Sequence, residues 1–177
     1  MSRTRDELVE HLTPPPGITM PPYPAQRDRF YRYSLLGITL SITWEGLSTL
    51  THEPALIFWA QGAVSLTILS ASATFLVWLK SWRNLVRALA IAGFLLWPFV
   101  PLAGWAASLA SAAIMAAKET HCFRFPAGRV IPWYSLLFGV AMIAHVPHVA
   151  LGIGWLGLAG LWSWLTRGRF RLPLFEV

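Results

Sequence analysis

Residues 88–117 read ALAIAGFLLWPFVPLAGWAASLASAAIMAA, thirty uncharged residues enclosed by Arg87 and Lys118. As one helix, at about 1.5 Å per residue, this stretch makes a rod of roughly 45 Å, well beyond a hydrocarbon core of about 30 Å. Pro98 and Pro101 lie near its middle, and each removes a backbone donor from any helix that continues through it. The stretch therefore predicts two membrane-crossing helices, 82–99 and 102–117, turned back on each other at the prolines.

The flanking runs extend the pattern. Residues 54–79 carry no charge at all and predict a secure span. Residues 34–51 predict a shorter one, interrupted by Glu45 and several Ser and Thr. The run 130–165 is too long for a single crossing and is broken at His145-Val146-Pro147-His148, which predicts spans 130–146 and 148–165. The fold expected is thus an all-α polytopic transmembrane bundle of about six spans over residues 34–165. Residues 1–33 form a Pro- and Arg-rich tail, extended by six prolines between Pro14 and Pro24, and 166–177 a basic C-terminal tail. No apolar h-region follows an early basic patch, so no signal peptide is expected.

Composition agrees. The chain is 55% apolar and 12% charged, outside the range of an ordinary soluble domain. Its ten Trp and ten Phe exclude bulk disorder, and the lone Cys122 excludes a disulfide scaffold. A net charge of +6 raises the question of nucleic-acid binding. The basic residues instead cluster at the borders of apolar runs, and no nucleic-acid partner is expected. With six crossings every Lys and Arg falls on one side, while the turns around His52, Gly104 and Val146 have none. The positive-inside rule then places both termini in the cytoplasm or an equivalent stroma. Pairs such as Trp78 and Trp82, Trp133 and Tyr134, and Trp162 and Trp164 fit an aromatic belt at the inner border, Trp97 and Trp105 at the outer one.

Few residues carry chemistry. Gly152-Ile153-Gly154-Trp155-Leu156-Gly157 spells a dinucleotide fingerprint, but without the preceding strand that motif requires. The same glycines, with Gly160, suit close helix packing, as do the Ala and Ser residues of 106–117. Glu45 is the one acid inside an expected span, where a carboxyl group is costly unless protonated, paired or facing water. With His52, Glu53, His145 and His148 it gathers near the outer face, a set able to bind a transition metal or pass protons. The plainer alternative is interfacial histidines bonded to water. In the inner loop, Lys118, Glu119, His121 and Cys122 crowd a cation, an acid, an imidazole and the only thiol together. A cysteine so placed can be activated, but one Cys and one His are too few for a structural zinc site. The alternative is structural: Lys118 at its helix end, Glu119 paired with an Arg, and Cys122 plugging the bundle.

Lys118-Glu119-x-x-Cys122-Phe123, after a small-residue span and before Ile131-Pro132-Trp133, resembles the signature of an uncharacterised integral membrane protein family of cyanobacteria and plant plastids. The resemblance extends over roughly residues 55–146. It implies a plasma or thylakoid membrane setting, with no activity or site to carry over.

Three functions compete. With little chain outside the spans, the sequence favours a non-enzymatic accessory or assembly factor that packs against other membrane proteins in the lipid bilayer. The outer-face residues favour a metal- or cofactor-dependent redox or proton-handling protein. Glu45 and the Pro98–Pro101 break favour a small transporter.

Overall fold

A computed structural model describes residues 16, 25–75, 77, 79–144 and 146–172 of the chain. These form six α-helices: α1 Ala25–Thr51, α2 Pro54–Thr74, α3 Lys80–Leu96, α4 Pro101–Phe123, α5 Pro126–Ile143 and α6 His148–Phe170. No described residue is in a strand. Pro54, Pro101 and Pro126 open α2, α4 and α5, where a fixed φ costs nothing and the missing N–H would have no helical partner. Arg124, at φ 55°, stops α4 in the left-handed region and donates its N–H to the Thr120 carbonyl at 2.8 Å.

The helices are those expected in number, but their ends are displaced. Residues 25–33, read as tail, are helical: Asp28 sits within the first turn, and Arg32 follows at i+4. Lys118–Phe123, read as a loop, are the last turns of α4, because nothing before Arg124 breaks the Ala-rich run. Likewise α6 continues to Phe170, through the start of the expected C-terminal tail. Three helices, α2, α5 and α6, are long and apolar enough to cross a membrane, fewer than the six spans expected. α3 has 17 residues, and α1 carries Asp28, Arg32 and Glu45 among many Ser and Thr.

Consecutive helices pack side by side, α6 closes back on α1, and α2 also meets α4. Specific contacts show that the chain alternates between two ends. At one end Arg27 of α1 and Arg87 of α3 both donate to the Ala73 carbonyl of α2. At the other, Gln61 of α2 donates to the Pro101 carbonyl of α4. In the middle, Trp155 of α6 lies 4.4 Å from Trp105 of α4 and 4.6 Å from Phe138 of α5, ring centre to ring centre.

α1 is mixed inward, with Tyr31, Leu35, Ile38 and Ile42 fully buried beside polar side chains, and apolar outward from Phe30 to Leu47. Its buried face holds Asp28, Arg32, Ser34, Thr39, Ser41, Glu45, Ser48 and Thr49, while Tyr33, Leu36, Leu40, Trp44 and Leu47 are exposed. Hydroxyl pairs tie this inner face to its neighbours: Ser41 to Thr67 of α2 at 2.9 Å and Thr39 to Thr166 of α6 at 3.2 Å. Ser65 and Ser108 join α2 to α4 in the same way at 3.2 Å.

The fingerprint glycines are packing residues. A side chain on Gly152 would meet Leu50 at 2.6 Å and the Gly46 carbonyl at 3.2 Å, and one on Gly154 would run into the Phe138 ring. Gly160 faces open space. Gly154→Ala is therefore expected to lower stability by about 1–3 kcal/mol, since Phe138 is held against Trp155 and has little room to withdraw. Gly160→Ala should be neutral or stabilising by up to about 1 kcal/mol through helix propensity. Thermal unfolding of both variants in one detergent checks the contrast, and equal effects would contradict it.

Candidate functional site

The basic residues of the bundle converge at one end. Arg3 and Arg5 lie outside the described residues; all other Lys and Arg sit at the start of α1, α3 or α5, or at the end of α4 or α6, which the alternation of the chain places together. Both described acids at this end, Asp28 and Glu119, are fully buried.

Asp28 lies between two guanidinium groups. Arg32, one turn along α1, donates from Nε to Oδ2 at 2.9 Å and brings Nη2 within 2.7 Å of the same oxygen. Arg169 of α6 donates from Nη2 to Oδ1 at 2.6 Å. These are short, charge-assisted contacts. Arg169 also reaches Glu119 of α4, Nε to Oε2, at 3.7 Å, and Lys118 lies 3.5 Å from Glu119 Oε1. Both distances exceed an ordinary hydrogen bond, so Glu119 is held by charge more than by directed bonding. Aromatic rings line the remaining faces: the Arg169 guanidinium is 4.0 Å from the Phe123 ring centre, and Lys118 is 5.3 Å from those of Tyr31 and Phe75. Arg32 donates further to the Leu172 carbonyl at 2.7 Å.

One cluster thus joins the starts of α1 and the segment after α2 to the ends of α4 and α6. It absorbs two of the four inner residues singled out in the sequence. Lys118 and Glu119 are part of it, and the pairing of Glu119 with an arginine is realised through Arg169. Cys122 lies on its edge, packed with Phe123, Phe125 and Leu172. Burial is the largest influence on its thiol and raises its pKa, against the pull of Lys118 and Arg169. This direction is opposite to that of an activated nucleophile. His121 is exposed and lines a separate cleft with Arg124 and Arg129.

At the opposite end, His52 and His148 are brought together, their ring centres 4.5 Å apart in an edge-to-face arrangement. His52 has a φ of 59°, so the chain turns sharply between α1 and α2 and swings the imidazole toward the first residue of α6. Glu53 is exposed beside it, and His145 lies outside the described residues. Among the described residues, no group of three or more His, Cys, Asp or Glu lies close enough to hold a metal ion. Glu45 is 2% exposed, on the inward face of α1, and its Oε2 has no hydrogen-bond partner.

Sequence reasoning assigned Asp28 and Arg32 to a solvated tail and Arg169 to a second one. Their i, i+4 spacing was the one local signal that Asp28 and Arg32 form a helical pair. No family profile, curated protein or solved structure matches the chain.

Proposed function

We propose that the chain is a six-span integral membrane protein with both termini on its basic side, acting without catalysis as an accessory or assembly factor for other membrane proteins. The observation that carries this reading is the apolar outward face of α1. A helix that buries eight polar side chains and exposes Tyr33, Leu36, Leu40, Trp44 and Leu47 is arranged for an apolar surrounding, although its average hydropathy is modest. The one-sided Lys and Arg support the orientation. The polar groups of the inner end serve the fold itself, which leaves the apolar exterior as the main surface for recognition. The resemblance around Lys118–Phe123 supports a cyanobacterial or plastid membrane as the setting.

A photo-crosslinking residue placed at Leu40, on the outer face of α1, tests the reading in native membranes. The expected result is a discrete protein adduct of reproducible mass, missing when the same probe replaces the buried Leu158. Lipid adducts alone at Leu40 would contradict it.

The His52–His148 contact favours a second reading, a metal-dependent protein using two imidazoles with water or residues outside the described set. Zinc titration of the full chain, purified without chelators, should then show binding that weakens by about tenfold or more in His148→Ala. No binding, or binding unchanged by the substitution, would remove this reading.

A further inference from the structure

We infer that the cleft between the end of α4 and the start of α5 is a binding site for the phosphodiester headgroup of an anionic glycerolipid. The cleft encloses about 630 Å³ and is lined by Thr120, His121, Arg124, Pro126, Arg129 and Val130. No carboxylate is among these residues, and the first turn of α5 contains no acid. Arg124 and Arg129 are both exposed, and neither guanidinium makes an ion pair or hydrogen bond with a described residue. In the basic pocket beside Phe170, by contrast, only Arg29 is left so, because Arg32 is already engaged by Asp28 and the Leu172 carbonyl. The two described acids of this end, Asp28 and Glu119, are shut inside the cluster. Among the described residues the cleft therefore brings together two guanidinium groups that no carboxylate opposes, with a phosphate-sized demand for oxygen acceptors.

The apolar side of the cleft identifies the rest of the ligand. Val130, Trp133, Leu137 and Val140 recur at i, i+3, i+7 and i+10 along α5, and all are exposed. They form a continuous track from the cleft toward the opposite end of the bundle, with Trp133 about one turn from the charges. A free phosphate would use only the cleft. An acyl chain anchored by its headgroup would use the track as well, with the Trp133 ring at the level where headgroup and chain meet. The site rests on the bilayer reading of the bundle and is independent of any protein partner.

The test uses the full chain purified in mild detergent, with unfolding temperature recorded against added phosphatidylglycerol, phosphatidylcholine or inorganic phosphate. Two charge-matched variants are compared: Arg124→Asn with Arg129→Gln, and Arg83→Gln with Arg167→Gln elsewhere on the same end. Asn suits the left-handed position of Arg124, so the first variant should unfold at the parent temperature without lipid. The expected result is stabilisation by phosphatidylglycerol over the other two additives, with apparent affinity falling about tenfold or more in the cleft variant. The control variant should retain it. Equal losses in both variants would show diffuse surface attraction, equal effects of inorganic phosphate would show a small-anion site, and no preference for phosphatidylglycerol would show no site; each overturns the inference. Absence of a protein adduct at Leu40 would leave this result unaffected, so the two readings fail separately.

Discussion

Arg169 holds two buried carboxylates from two different helices, and the inner end of the bundle depends on that fork. Asp28 arrives on the first turn of α1 and Glu119 on the penultimate turn of α4, ninety-one positions apart in the chain, and both are fully buried. Burying a carboxylate costs several kcal/mol unless a cation and further donors replace the lost hydration. Arg32 and Lys118 bring the cations to three against two carboxylates, and Tyr31, Phe75 and Phe123 present ring faces to Lys118 and Arg169. A planar guanidinium suits this position better than an ammonium would, because it addresses two acids at once and still lies 4.0 Å over an aromatic ring.

The rest of the architecture follows from keeping polarity inside. Once Asp28 and Arg32 face inward, the helical period carries Leu35, Ile38, Thr39, Ile42, Glu45 and Thr49 to the same side. The hydroxyls on this face pair across to α2 and α6 or back to the preceding turn, Leu35, Ile38 and Ile42 pack beside them, and the outward face from Phe30 to Leu47 carries Phe30, Tyr33, Leu36, Leu40, Trp44 and Leu47. The glycines of α6 let its backbone approach α1 at Gly152 and α5 at Gly154 and Gly157, where Tyr134 donates to the Gly154 carbonyl at 2.8 Å. A helix facing water would present polar side chains there; the outward face of α1 from Phe30 to Leu47 is instead apolar, which supports the proposal that α1 lies in lipid.

Much of this was legible in the sequence. The uncharged run 88–117 with its two prolines foretold the α3–α4 turn, and the His145–His148 interruption foretold the break between α5 and α6. Counting spans then brought His52 and His148 to one end, where the structure places their rings 4.5 Å apart. The glycine fingerprint was readable as packing because no strand preceded it. The ionic cluster was hidden for a physical reason: its members lie beyond the apolar runs, where charge patterning alone cannot distinguish a solvated tail from a helix end folded against its neighbours. Joining Asp28 to Arg169 also requires knowing that α6 returns to α1 and which faces meet, and neither is a local property. Helix ends were displaced for a related reason, since hydropathy marks where a lipid-compatible segment stops and not where backbone hydrogen bonding does.

A double-mutant cycle on Asp28→Asn and Arg169→Met, followed by unfolding of the full chain in detergent or bicelles, addresses the clamp most directly. Each single change should cost about 3 kcal/mol or more, because it strands a buried charge. The double variant should be less damaged than the sum, with a coupling of at least about 1 kcal/mol. Effects that add to within about 0.5 kcal/mol would contradict the account, since Asp28 and Arg169 would then be independent residues that merely lie near each other.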